Sequence, residues 1–314
     1  MKLSTKKINL NKKFKYIDLF AGIGGMRIPF DELGGDCVFT SEFDKYAQKT
    51  YEANFNEMPN GDIKSIDLKR IPKHNLLLAG FPCQAFSHAG LKKGFDDTRG
   101  TLFFDIATIL KTHKPKAFLL ENVKGLKSHD GGYTFKKIID TLKEIGYQTV
   151  KDQVLNARDF GLPQNRERVF IVGFWKHTNF YFPEPPKSKT RLGSILQKRV
   201  KEKYTISDKL WTSAIKRRER AISKGNGFSY KLFNRDSVYT STLSARYYKD
   251  GLEILVEQPN KNPRRLTPLE ARRLQGFPDN FEIPVSDTQA YKQFGNAVPV
   301  NVIREIAKKI ISHI

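Results

Sequence analysis

The chain has 314 residues, 39% of them hydrophobic, enough for one large core and a smaller second unit and too apolar for a disordered chain. Its apolar runs reach only about seven residues, which excludes a membrane-spanning helix. The formal net charge is +22, from 55 Lys and Arg against 33 Asp and Glu, so a polyanion is the partner to look for.

The Lys-rich start, Met1 to Lys15, holds no apolar signal core, and no secretion is expected. Phe14 to Phe20 reads as a strand, followed by a glycine turn and a helix to about Leu33. Cys37 to Glu42 is a second strand, with Cys37 expected as a small buried hydrophobe, and a helix follows from Asp44 to about Asn54. Further strands fit Leu76 to Phe81, Ala117 to Val123, Thr149 to Leu155 and Arg168 to Phe174. Helices fit Thr101 to His113 and Phe135 to Ile145. The alternation predicts a doubly wound α/β domain with a mostly parallel sheet.

The alternation stops at Phe182-Pro183-Glu184-Pro185-Pro186, where the prolines mark a boundary. From there to about Pro284 the chain reads as basic, irregular and β-leaning, with one helix, Asp208 to Lys224. Between Lys187 and Asp250 there are 17 Lys and Arg against 5 Asp and Glu, a surplus of 12 in 64 residues. Phosphate backbone fits that surplus. A last amphipathic helix, Val300 to Ile311, has apolar residues enough to pack back on the first domain. The predicted division is therefore 1–182, completed by 285–314, with a second domain over 183–284.

Three sites along this pattern carry chemistry. The first turn, Asp18-Leu19-Phe20-Ala21-Gly22-Ile23-Gly24-Gly25, is glycine-rich yet does not match the dinucleotide fingerprint. Its glycines allow a ligand close to the backbone. Glu42 closes the next strand and is placed to accept from ribose hydroxyls. A nucleoside cofactor without a pyrophosphate fits both features. Further on, Pro82-Cys83-Gln84 stands where a buried strand opens into a loop, so Cys83 is a candidate nucleophile on rigid backbone. A second strand end offers the carboxyl group of Glu121 to the same rim of the sheet. With only Cys37 and Cys83 in the chain, no disulfide framework is expected and a reducing cytoplasm is. No metal site is expected.

Ordered motifs run along nearly the whole chain: the glycine turn, Gly61-Asp62-Ile63, Gly80-Phe81-Pro82-Cys83-Gln84, Arg99-Gly100-Thr101-Leu102 and Glu121-Asn122-Val123. They continue as Gln164-Asn165-Arg166-Glu167-Arg168, Arg265-Leu266-Thr267-Pro268, Gln275-Gly276-Phe277-Pro278 and Gln293-Phe294-Gly295-Asn296-Ala297-Val298. In this order they resemble the motifs of the cytosine-5 DNA methyltransferases. The resemblance implies a Rossmann-like S-adenosylmethionine-dependent fold with a target-recognition region in the variable gap.

The resemblance also implies roles. Asp18, Phe20, Gly22, Gly24, Glu42, Asp62, Ile63, Gly80, Leu102 and Asn296 would hold S-adenosylmethionine. Phe20 would lie against the adenine, Glu42 on the ribose hydroxyls and Asp62 on the adenine amino group. Cys83 would add to carbon 6 of a flipped-out cytosine, with Glu121 as general acid at ring nitrogen 3. Arg168 would hold the cytosine carbonyl oxygen, and Arg166 would orient Cys83 and the flipped nucleotide. Double-stranded DNA would meet Gln84 and Ser87 on the loop after Cys83, which would close over it, and Thr242, Arg246 and Lys249 in the gap. The family branch implied is prokaryotic: a cytoplasmic monomer paired with a restriction endonuclease of the same specificity. The alternative is a transfer-RNA cytosine-5 methyltransferase, against which stands the lack of any cysteine after Cys83.

Overall fold

Apolar runs of β-prone residues separated by amphipathic helices make strands that are buried on both faces of a parallel sheet. The computed structural model of the chain describes residues 14–82, 102–186, 190–225 and 230–314. The chain divides into two compact units. The first is Met1–Leu155, Glu167–Glu184 and Val302–Ile314; the second is Asn156–Arg166 and Pro185–Asn301. The segments 156–166 and 285–301 thus group with the second unit, whereas the sequence boundaries attach them to the first.

The first unit is built on a six-stranded sheet. Its strands are β1 (Phe14–Leu19), β2 (Gly35–Ser41), β3 (Leu76–Gly80), β4 (Ala117–Val123), β5 (Thr149–Asn156) and β6 (Glu167–Phe174). They lie in the order β2-β1-β3-β4-β6-β5. β1 pairs in parallel with β2 and β3, and β3 with β4, while β6 runs antiparallel to β4. The chain leaves β1 toward β2 and then returns to β3 on its other side. That makes the β1/β3 junction the topological switch point, where open α/β sheets bind ligands outside the carboxyl ends of their strands. Because β6 is antiparallel, its first residues reach this same edge.

The helices are α1 (Arg27–Glu32), α2 (Lys45–Phe55), α3 (Leu102–His113) and α4 (Tyr133–Ile145). Asp44 caps α2, accepting from the backbone amides of Tyr46 and Ala47 at 2.9 and 3.0 Å. Leu76, Leu77, Leu78, Phe118, Leu119 and Leu120 are fully buried, with Ile106, Leu110, Ile138 and Leu142 of α3 and α4 among the core residues. Cys37, expected inside, is only half-buried on the edge strand β2.

The second unit has α5 (Asp208–Ser223) and a small mixed sheet of β7 (Leu232–Phe233), β8 (Leu255–Gln258) and β9 (Lys261–Arg265). It also holds α6 (Pro268–Leu274) and α7 (Asp287–Asn296), and a final helix, α8 (Val300–Ile311), carries the chain back to the first unit from Val302. There Arg304 clasps Glu32 through Nε and Nη2 at 2.8 and 3.0 Å. The sequence reading had no helix at 268–274. Its signal is the capping box: Thr267 accepts from the Glu270 amide, Glu270 accepts from the Thr267 amide, and Pro268 stands at the first turn.

Gly173 of β6 faces Phe118 of β4 in register, and a Cβ there would overlap the Phe118 ring. Gly173→Ala should therefore strain the sheet centre and cost about 1–3 kcal/mol. The check is the urea midpoint of the variant, which should fall while the transition slope is unchanged.

Candidate active site

The glycine turn after β1 is shaped by backbone that most residues avoid. Phe20, Gly22 and Gly24 take φ of 55°, 55° and 82°, three left-handed positions within five residues. The turn is pinned on two sides. The Ala21 amide donates to the Ser41 carbonyl at 2.9 Å, and the Gly22 amide donates to Glu42 Oε2 at 2.8 Å. The other Glu42 oxygen accepts from the Asp44 amide at 2.8 Å. Glu42 is thus a fixed carboxylate with lone pairs to spare, and burial pushes its pKa up against those amide bonds.

The loop carrying Asp62 is joined to the same edge. The Glu42 amide donates to the Asn60 carbonyl and the Asn60 amide to Thr40, at 2.9 and 3.0 Å. Asp62 caps the turn Ile63–Ser65 through the Lys64 amide at 3.1 Å. Ile63 is buried in the core, and Leu102, at the start of α3, packs against it. Gly80 ends β3 opposite Glu121.

Beneath the turn lies a charge network that the sequence reading missed. Arg27 meets Asp31 at 2.9 Å, Glu57 at 2.6 Å and the Tyr51 hydroxyl at 2.7 Å, with its guanidinium 4.6 Å from the Phe55 ring centre. A Cβ on Gly24 would overlap that ring. Asp18 is 1% exposed, and its Oδ2 has no hydrogen-bond partner among the described residues. Burial pushes its pKa up to about 8; Arg27 opposes this, and Asp31, Glu42 and Glu57 add to it. Phe43, the residue after Glu42, was also missed. At 70% exposure it leaves an aromatic face open at the carboxyl edge, and an aromatic directly after a strand-end acid is the signal that could have found it.

At the far side of the switch point stands a buried ion pair. Arg168 Nε is 3.1 Å from Glu121 Oε1, and the two side chains are 13% and 9% exposed. In register, Glu121 faces Phe170 and Val123 faces Arg168, so the pair is a diagonal neighbour across β4 and β6. Burial depresses the Arg168 pKa, and Glu121 opposes the shift. Next to Glu121, buried Asn122 donates to the Phe81 carbonyl at 2.9 Å and so fixes the exit of β3 toward Pro82. Cys83, Gln84 and Ser87 lie outside the described residues.

The remaining candidates belong to the second unit. Arg166 is 1% exposed, and its guanidinium donates to the carbonyls of Leu243, Gly295 and Ala297 at 3.0, 2.9 and 2.8 Å. Gln164 accepts from the Leu243 amide at 2.9 Å and donates to the Leu274 carbonyl at 3.1 Å. Thr242 donates its hydroxyl to the Asn165 carbonyl at 2.6 Å. Tyr247 is fully buried, donating to the Ile254 carbonyl at 2.7 Å, while Arg246 and Lys249 beside it are exposed. Asn296 is exposed at the end of α7.

Residues 14–312 match the family described as C-5 cytosine-specific DNA methylase. Among curated relatives, the chain is 59% identical to a Type II methyltransferase, M.DsaV, of Dactylococcopsis salina, over 96% of this chain and 87% of that one. It is 60% identical to M.NlaX of Neisseria lactamica, over 95% and 96%. Among solved structures, Spodoptera frugiperda DNMT2 superposes with a TM-score of 0.77 at 23% identity, covering 95% and 99% of the two chains. That likeness speaks for the fold.

A buried Asp that stays protonated in the fold, yet ionises when unfolded, makes stability fall as pH rises between the two pKa values. For Asp18 the window runs from near 4 up to about 8. His74, whose pKa burial lowers to about 4, acts in the opposite sense, but only below its ordinary value of 6.5. Between pH 6.5 and 8 the wild-type melting temperature should therefore fall, and Asp18→Asn should flatten that slope. A differential scanning calorimetry series across this range is the check.

Proposed function

The chain belongs to the C-5 cytosine-specific DNA methylase family, and on that premise we propose that it methylates carbon 5 of a flipped-out cytosine within a specific duplex DNA sequence. The observation that carries this reading is the buried Glu121–Arg168 pair, at the sheet edge where β3 runs out toward Pro82-Cys83. One acid and one cation held side by side suit a pyrimidine, whose ring nitrogen 3 and carbonyl oxygen are neighbours.

Cys83, as the thiolate, forms a bond to cytosine carbon 6. Glu121 gives a proton to nitrogen 3, so that the electron pair gathers at carbon 5 and no net anion builds up. Arg168 donates to the cytosine carbonyl oxygen. Once carbon 5 carries the methyl group, a base removes its proton, the electron pair returns to the ring, the sulfur–carbon 6 bond breaks to release the thiolate, and nitrogen 3 returns its proton to Glu121. None of this is reachable inside a base stack, so the cytosine must leave the duplex.

The residues at the switch point fit S-adenosylmethionine. The left-handed turn leaves the backbone open, Glu42 offers a fixed carboxylate for two ribose hydroxyls, and Phe43 and Phe20 offer rings for adenine. Asp62 would accept from the adenine amino group. Gly80, Ile63 and Leu102 would complete the pocket, and the family resemblance assigns Asn296 to the cofactor as well. When bound, this group supplies the electrophilic methyl that carbon 5 accepts.

In the second unit we assign DNA reading to exposed Arg246 and Lys249. Arg166 and Thr242, which donate to backbone carbonyls, act as positioning residues. The chain would work as a cytoplasmic monomer, protecting DNA from an endonuclease that recognises the same sequence; several relatives are named as Type II methyltransferases. Among the described residues no helix is long and apolar enough to cross a membrane.

Bisulfite sequencing of DNA from cells expressing the chain should show methylation confined to one sequence. Unmodified DNA beside methylated transfer RNA would overturn the reading in favour of the RNA alternative. Cys83→Ser should lose methyl transfer in a tritium assay while still binding DNA and cofactor, because a serine hydroxyl is far less ionised than a thiol. Duplex containing 5-fluorocytosine should trap wild type on a denaturing gel and leave the variant free. Phe43→Ala should weaken S-adenosylmethionine by about 1–3 kcal/mol, the usual worth of stacking on a base, with little change in melting temperature. Isothermal titration calorimetry is the check.

A further inference from the structure

Helix α5 is held in one rotational setting. Ala214 is buried, and Leu210 and Trp211 pack with Ile206, Leu252 and Leu255. Tyr230 adds a ring 4.6 Å from Trp211 and lies under the Arg218 guanidinium at 5.0 Å. With this side fixed, the spacing of the remaining residues decides what the helix shows to solvent. Lys209, Lys216, Arg217, Arg220 and Lys224 fall within an arc of about 100° at 100° per residue. All five are exposed. The two acids of the helix, Asp208 and Glu219, fall together outside that arc.

A solvated charged face usually carries both signs, which gives pairs at i, i+4. This arc does not. Among the described residues, Lys209, Lys216, Arg220 and Lys224 have no carboxylate at ion-pair distance. Arg217, at the edge of the arc, reaches Asp250 at 3.8 Å. Asp250 directly follows Lys249, so the basic arc continues into the segment that presents Arg246 and Lys249. From Lys209 to Lys224 the arc is about 22 Å long. At 3.4 Å of rise per nucleotide, this matches the phosphates of about six steps along one DNA strand.

We propose that this basic face of α5 is a phosphate-binding surface for duplex DNA lying beyond the bases that the recognition segment reads. The proposal rests on the DNA methyltransferase reading and adds to it a second, sequence-independent contact. Self-repulsion among five like charges on one face is relieved by a polyanion, and counterion release makes the gain steeply salt-dependent. Such a surface holds the enzyme in register on the duplex and contributes nothing to the choice of base.

The test compares wild type with a Lys216→Gln, Arg220→Gln, Lys224→Gln variant. Glutamine keeps helix propensity close to that of Lys and Arg, and circular dichroism melting should be unchanged. Fluorescence anisotropy is recorded over a salt series with two labelled duplexes, one ending at the methylated sequence found by bisulfite sequencing and one extended by about a helical turn on each side. On the extended duplex the log–log salt slope of the variant should be shallower by about 2–3, near 0.9 per lost phosphate contact. On the short duplex the two proteins should differ little. Preference for the methylated sequence over a single mismatch, and turnover at saturating DNA, should be the same in both. An unchanged slope on the extended duplex would overturn the proposal, as would a lost sequence preference, which would make α5 a base reader. If wild type methylates no DNA, the functional reading itself fails; if it does and the slopes agree, only the α5 surface fails.

Discussion

A carboxylate taken out of water needs a counter-charge, and at Glu121 the direction of one strand supplies it. Parallel strands bring only their carboxyl ends to the ligand edge. An arginine near the start of a strand reaches that edge only if its strand runs the other way, as β6 does. Arg168 thereby stands 3.1 Å from Glu121. Removing either partner would leave a buried charge uncompensated, which generally costs about 3–5 kcal/mol. Stability and chemistry therefore ask for the same pair. The proposed reaction uses the same two groups a few ångströms apart, with Glu121 taking up a proton before it serves nitrogen 3, and the sheet cannot easily do without either.

The other half of the edge is organised by a different constraint. The turn after β1 needs left-handed backbone at Phe20, Gly22 and Gly24, which is costly for Phe20 unless the surroundings over-determine it. They do. Glu42 and Ser41 accept from the turn above, and the ring of Phe55, stacked on Arg27, fills the space below Gly24. The Arg27 network places one guanidinium against the carboxyl groups of Asp31 and Glu57 and leaves Asp18, whose Oδ2 has no hydrogen-bond partner among the described residues, as the group whose burial is least compensated. A turn prepared in this way reorganises little when a ligand arrives, which is how preorganised sites gain affinity.

What could be read in the sequence follows from which forces are local. The strands that became β1, β3, β4 and β6 were legible within a residue or so, because strands buried on both faces must be short apolar runs. Helix α6 was not. Its seven residues carry too little periodicity, and only the Thr267–Glu270 capping box betrays it. The grouping of 156–166 with the second unit was also hidden. It follows from where the side chains of Gln164 and Arg166 go, and their partners lie about eighty to a hundred and thirty residues away. For the same reason the motifs that single out Arg166 and Thr242 do not reveal that both also donate to backbone carbonyls of this framework.

That choice of backbone partners has a consequence for how such a unit can change its specificity. Arg166 holds the carbonyls of Leu243, Gly295 and Ala297; Gln164 holds the amide of Leu243; Asn165 pairs its amide with the Thr240 carbonyl. Main-chain groups are present whatever the side chain, so the framework sets the path of 240–244 without dictating what 245–250 display. Within that stretch only Tyr247 points inward, donating to Ile254 and accepting from the Leu266 amide. Arg246 and Lys249 stand on either side, exposed and free of core packing. Side chains so placed can be exchanged at little cost in stability, as surface substitutions usually are. Gly295 marks the limit of that freedom, since a Cβ there would run into the Ser244 carbonyl. Under the DNA-reading role proposed for Arg246 and Lys249, those side chains are free to vary while the backbone that carries them is held by bonds that variation cannot remove.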